Sequence, residues 1–215
     1  MKFQVVLFDG FDLMDAIAPF DVFNAAAGLS PEEVTVELVT VEGKRFVNSG
    51  VDNVRVEASG ILDPNAEGVI LIPGSSGDSY EDGPNSIVNR LKRASETELK
   101  TLLHQAAQNP NITLNTVCVG ANLLGMIGLL NGRYASTHFM GMDALPKMGA
   151  IPVHARIVDD GDIVSSGGVT SGIDLDIYTI EQKLGSKIAH AVEKLFEFER
   201  RSTVWKNKGQ NPIAF

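Results

Sequence analysis

Residues 112–130 read ITLNTVCVGANLLGMIGLL. The stretch from Ile112 to Val117 is dominated by apolar and β-branched residues and predicts a buried strand. Cys118, the single cysteine of the chain, follows at once, and a run rich in glycine, alanine and leucine then predicts a helix. A buried strand that passes directly into a helix is the building unit of a parallel α/β sheet. Ligands bind such sheets beyond the carboxyl ends of the strands, which is the edge where Cys118 falls. A side chain on a tight strand-to-helix turn is thrust outward. The N–H groups of the new helix favour thiolate over thiol. Gly120 lets the turn close tightly. This placement predicts a nucleophile with a lowered thiol pKa that reacts with iodoacetamide near pH 6. A free cysteine is also commonly a small buried apolar side chain, and position alone leaves both readings open.

Working outward, the same alternation covers most of the chain. FQVVLF (3–8) and GVILIPG (68–74) are short continuous apolar strands, and VTVELVT (34–40) is a strand of alternating pattern. LMDAIAPFDVFNAAAG (13–28) has helical spacing, with Pro19 predicting a kink or a late start. KRFVNSGVDNVRVEAS (44–59) predicts two short strands around a turn at Asn48–Gly50. One helix is expected within Pro84–Ala107, and a hairpin over 155–168 turns at Asp160-Gly161. A long terminal helix is expected through Ile173 to Leu195, with Ser171 and Asp174 as a capping box. Strands alternating with helices predict an α/β fold, a mainly parallel sheet with helices on both faces. The whole chain, 1–215, reads as one domain, with about 206–215 a loosely held tail.

Composition narrows the function. The chain is 44% apolar and carries a net charge of −9, a balance that repels phosphate backbones and sets nucleic acid aside. One cysteine makes no internal disulfide, and no spacing suggests a metal site. No stretch approaches a membrane span, and the apolar start is too short for a signal peptide, so the expected compartment is the cytoplasm.

Two further segments point to the edge where Cys118 stands. IPGSSG (72–77) closes a strand, and its backbone N–H groups either bind developing negative charge or form an ordinary turn. Asp15, and Asp12 before it, lie just past the first strand. Asp15 sits among Leu13, Met14, Ala16 and Ile17, where a carboxyl group can hold a raised pKa and act as acid or base; its plainer reading is a helix-start carboxylate. His138 can approach the thiol, or it can hold a loop by one hydrogen bond.

The stretches LFDGFDLMDAIAPFDVF, VILIPGSSG, TVCVGANLLGMIGLLNGRYASTHF and MGAIPVHARIVDDGDIVSSGGVTSGID together resemble the ThiJ/PfpI superfamily, most of all its isocyanide hydratase branch, which is kin to the cysteine domains of AraC-type regulators. The resemblance implies a flavodoxin-like three-layer sandwich, a homodimer and no cofactor. It implies Cys118 as nucleophile and Asp15 as catalytic acid. It also implies that Gly74, Ser75, Val119 and His138 line the substrate and oxyanion site. The activity it implies is addition of water to an isocyanide, giving an N-formamide. A non-catalytic ligand or oxidative-stress sensor, and a hydrolase or glyoxalase-like enzyme acting on another small electrophile, are the alternatives. Three features depart from the branch pattern. Val119 stands where Thr is common, Gly74-Ser75 where Gly-Gly is usual, and FERRSTVWKNKG replaces a proline-rich segment. The superfamily's deglycases and proteases carry Glu at the acid position and His after the cysteine, and its amidotransferases a late His-x-Glu pair; this chain has neither pattern.

Overall fold

The computed structural model describes residues 1–52, 54–78, 82–201, 203–211 and 213. The first half runs β1 (Lys2–Val6), α1 (Leu13–Leu29), β2 (Thr35–Thr40), β3 (Arg45–Asn48), β4 (Arg55–Ala58), β5 (Gly60–Ile61), β6 (Gly68–Ile72), α2 (Ile87–Ser95) and α3 (Leu99–Ala106). The second half runs β7 (Ile112–Thr116), α4 (Gly120–Met126), β8 (Tyr134–Ala135), β9 (Ile151–Pro152), β10 (Ile157–Asp159), β11 (Ile163–Ser166), α5 (Thr170–Leu184), α6 (Ser186–Phe196) and β12 (Trp205–Lys206).

Eight strands form one sheet in the order β12-β10-β11-β7-β6-β1-β2-β5. Every pairing in it is parallel except the β10–β11 hairpin. β1, β6 and β7 occupy the middle, and all five residues of β6 are buried. Their apolar runs are continuous rather than alternating because helices cover both faces. Helices α1, α5 and α6 pack together, and α2 packs with α3 and α4. Phe3 of β1 stacks on Phe23 of α1 at 4.6 Å between ring centroids, tying the first strand to its helix. The fold is the mostly parallel, flavodoxin-like α/β arrangement. No helix among the described residues is long and apolar enough to cross a membrane.

Several elements differ from the sequence reading. Pro19 sits inside a continuous α1, in the second turn and away from its start. The helix expected within 84–107 is two, broken at Glu96–Glu98. The long terminal helix is also two, because Gly185 adopts φ 90° and ψ 160°, which no helix tolerates. No capping box forms at Ser171, since α5 starts at Thr170 without a side-chain cap. Asp174 instead accepts hydrogen bonds from Arg156 and from the Arg201 N–H, at 2.5 and 2.7 Å, and so ties the C-terminal segment to α5. That segment adds β12, and Lys206, expected at the start of the loose tail, pairs with Asp159 in the sheet. Residues 212, 214 and 215 of the tail lie outside the described residues.

Candidate active site

The carboxyl ends of β1, β6 and β7 meet at one edge, and the loops that leave them hold the candidate residues. Cys118 follows β7 with φ 57°, a left-handed conformation that is uncommon for a residue bearing a Cβ. Backbone contacts on both sides keep it there. Its N–H donates to the Gly167 carbonyl at 3.1 Å, and its own carbonyl accepts from Thr137 Oγ1 at 2.7 Å. Gly120 makes the turn possible: a Cβ there would stand 2.3 Å from the Ile72 carbonyl oxygen. The chain therefore turns hard against the end of β6, and Cys118 as a residue is left 8% exposed.

Asp15 reaches the same point from α1. Asp12 caps that helix, accepting from the Met14 and Asp15 N–H groups, and also accepts from the Ser76 hydroxyl. Asp15 itself is 1% exposed, and its Oδ2 accepts from the Gly74 N–H at 3.1 Å. Gly74 is the hub of the cluster. A Cβ on it would lie 2.7 Å from Asp15 Oδ2, 3.0 Å from Cys118 Cβ and 3.1 Å from the Val119 nitrogen. Acid, thiol and a backbone donor thus converge on one glycine, a spacing no larger residue permits. Ser75 follows, its hydroxyl donating to the Gly10 carbonyl at 2.6 Å, while its N–H has no acceptor among the described residues.

The charges at the site follow from this packing. Burial, helped by the nearby Asp12 carboxylate, raises the Asp15 pKa from 3.8 to about 7, although the Gly74 N–H and the thiol pull it down. Burial and the charge of Asp15 also push the Cys118 thiol up, and only the Val119 N–H pulls the other way. The lowered thiol pKa expected from the helix start is thereby overturned. α4 is short, seven residues, and what its first N–H groups contribute is outweighed by desolvation and an adjacent carboxylate.

Asp15, Gly74, Ser75, Cys118 and Val119 are therefore brought together. His138 takes a place at the rim. Its ring lies on Gly168, where a Cβ would come within 2.2 Å of Cδ2, and its Nδ1 accepts from the Met140 N–H at 3.4 Å. Burial lowers its pKa below the usual 6.5, and the Asp12 charge works in the opposite direction. A cavity of about 450 Å³ opens beside it, lined among others by Thr137, His154, Gly167 and Val169. A larger one, about 750 Å³, lies away from Cys118 under α5, α6 and residues 197–201, and holds the Arg200 ion pairs with Glu181 and Glu193.

Sequence reasoning missed several supports. Thr137 and Gly167 hold the Cys118 backbone, and the Gly167-Gly168 doublet is the sequence signal of a close approach. Asp12 also serves as the cap of α1, a role its position in the sequence does not by itself reveal. Asp176 carried no signal at all. It is fully buried on α5, with no hydrogen-bond partner on either oxygen among the described residues, and burial followed by Asp15 and Asp174 raises its pKa. No group of three or more potential metal ligands occurs among the described residues.

Known proteins share this architecture. The isonitrile hydratase of Pseudomonas putida is 32% identical over 198 residues, which span 92% of this chain and 78% of that protein. The HTH-type transcriptional regulator GbdR of Pseudomonas aeruginosa is 26% identical, and the match spans 89% of this chain but half of the regulator. Among solved structures, a ThiJ/PfpI family protein from Pseudomonas syringae superposes with a TM-score of 0.76 at 22% identity, covering 94% of this chain and 76% of that one. Schizosaccharomyces pombe DJ-1 follows at 0.73 and 20%, covering 93% and 100%. These two structures share the fold. Matched over residues 1–182, the chain belongs to the DJ-1/PfpI family.

Proposed function

We propose that this protein is a cysteine-dependent hydratase that adds water to an isocyanide and yields an N-formamide. The observation that carries the reading is the convergence of Asp15 and Cys118 on Gly74: a buried acid with a pKa of about 7 beside the only thiol of the chain. Hydration of an isocyanide needs a nucleophile for the terminal carbon and a group that gives and takes protons near neutral pH. In the proposed sequence the thiol proton passes to the Asp15 carboxylate as Sγ bonds to that carbon. Asp15 returns the proton to the carbon, leaving a thioimidate. Water then adds to the same carbon, and Asp15 moves one of its protons to nitrogen. The C–S bond breaks, the hydroxyl proton goes back to sulfur, and the formamide leaves. The Val119 N–H steadies the sulfur as it departs with its electron pair, and the Ser75 N–H faces developing negative charge on the substrate. The sequence needs no cofactor, and Val119 takes part only through its backbone.

The test is direct. Purified protein with several aryl and alkyl isocyanides should produce the matching formamides, and Cys118→Ser should produce none. No turnover across that set would retire the assignment and leave only the family.

The similar regulators favour a second reading, a ligand or oxidative-stress sensor that uses Cys118 without turnover. A raised thiol pKa speaks against peroxide sensing, because the thiolate is the species that is oxidised. Selective gain of oxygen at Cys118 under mild peroxide, followed by intact mass and with no catalysis, would favour the sensor.

The enzyme is also proposed to work as a homodimer. Met14 is exposed on α1, Leu13, Ile17 and Phe20 are half-buried, and with Val51 and Val169 they line an apolar groove of about 630 Å³. A second copy is the occupant that fits the resemblance and places the interface beside Asp12 and Asp15.

A further inference from the structure

Arg90 stands one turn into α2, and its half-buried side chain crosses to the loops that build the site. Two glycines keep its passage open. A Cβ on Gly10 would lie 2.5 Å from Arg90 Cδ, and one on Gly50 would lie 2.5 Å from Arg90 Nη1. A Cβ at either position would displace the arginine; Gly10 also has φ 94°, and a Cβ on Gly50 would stand 2.3 Å from the Ser76 carbonyl oxygen. At the end of the passage Nη1 donates to the Ser76 carbonyl at 2.6 Å. The same backbone is held by its neighbours: the Ser76 N–H donates to the Gly10 carbonyl at 3.2 Å, and the Asp12 N–H to the Gly74 carbonyl at 2.9 Å. The Gly50 N–H donates to the Phe11 carbonyl at 2.8 Å. The guanidinium therefore lies where the loops after β1, β3 and β6 meet. It touches all three, and its hydrogen bond falls on the loop that carries the Gly74 and Ser75 donors.

We propose that Arg90 is a positioning residue of the Cys118 site, pinning the 74–76 backbone so that the Gly74 N–H holds Asp15 and the Ser75 N–H faces the substrate. The hydratase reading is needed for the kinetic consequence of this role, and not for the structural one. A charge-assisted bond from a planar guanidinium fixes a carbonyl more firmly than a neutral donor does. A catalytic N–H that wanders loses its value in the transition state before it loses its value in binding.

Arg90→Met keeps the length and apolar stem but removes the donor. It should lower kcat on an aryl isocyanide by about 10-fold or more while KM changes little. Amide hydrogen exchange over residues 74–78 should speed up, and the melting temperature should stay close to wild type. Arg93→Met is the control on the same helix, since Arg93 donates to the Pro84 carbonyl at 2.6 Å, outside the site; it should alter neither kcat nor that exchange. Methylguanidinium added to Arg90→Ala should restore part of the lost turnover, which a folding lesion would not permit. If Arg90→Met fails to fold, Arg90→Lys is read by the same measurements, with the same fall in kcat expected of a single ammonium donor. Wild-type kcat and unchanged exchange at 74–78 in the variant that folds would overturn the proposal. If wild type turns over no isocyanide, the hydratase reading falls. The exchange at 74–78, with the rate of Cys118 alkylation, then still decides the role of Arg90.

Discussion

At Asp15 the folded chain keeps a proton that the unfolded chain gives up. Its pKa is about 7 in the fold against 3.8 outside it. Between those values the native state binds more protons than the unfolded state, so this residue's contribution to stability falls as pH rises through the window and is lowest above pH 7. Asp15→Asn should therefore be more stable than wild type at pH 8, by about 2–4 kcal/mol, and no more stable at pH 3.5. Urea unfolding at the two pH values measures this. An equal gain at both would mean that the buried charge is not the cause. In the proposed hydration the same ionisation governs the first step, where the Asp15 carboxylate accepts the thiol proton. kcat/KM should rise with pH through about 7 and fall only where the thiol loses its proton in turn; a rate that is flat from pH 6 to 8 would detach Asp15 from the first step. Cys118 should react with iodoacetamide no faster at pH 6 than an ordinary cysteine. At pH 8 Asp15→Asn should react faster than wild type, since the variant removes the like charge beside the sulfur.

The unit formed by β7, Cys118 and α4 depends on two glycines that answer to different neighbours. Gly120→Ala would drive a Cβ into the Ile72 carbonyl, a backbone group that cannot swing aside, so the loss should appear mainly in stability, about 2–3 kcal/mol by thermal unfolding. Gly74→Ala would meet the Asp15 carboxyl at 2.7 Å, the end of a side chain that can rotate away. Its loss should appear mainly in turnover, with folding largely kept; unchanged turnover would remove Gly74 from the site. Much of this unit was legible in the sequence. Ile112 to Val117 announces a buried strand, Gly120 a tight turn, and Asp160-Gly161 a hairpin, because each signal is local. What escaped was set by contacts distant in the chain. Gly185 falls inside the helical pattern that runs from Ile173 to Leu195, yet its φ of 90° ends α5. The sign of the thiol shift could not be read from the helix start, because the deciding terms are burial and a carboxylate about a hundred residues earlier in the chain. Arg90 was hidden for the same reason: Gly10, Gly50 and Ser76 surround it only once three loops have met.

For the whole molecule, the proposed dimer should survive dilution to micromolar concentration in light scattering, and Phe20→Asp on α1 should yield a folded monomer. A strict monomer in wild type would leave the apolar α1 groove without its occupant. The ends of the sheet bear on how copies can meet. Its two outermost strands, β12 and β5, are each two residues long. A strand that short leaves almost no row of unpaired N–H and C=O groups on which a foreign backbone could template. Growth by adding strand to strand, the route toward fibrils, is closed at both margins even though the middle of the sheet is as apolar as an aggregating segment. The proposed dimer, built on side chains of α1 rather than on the margins of the eight-stranded sheet, would be a contact that closes on itself and does not propagate.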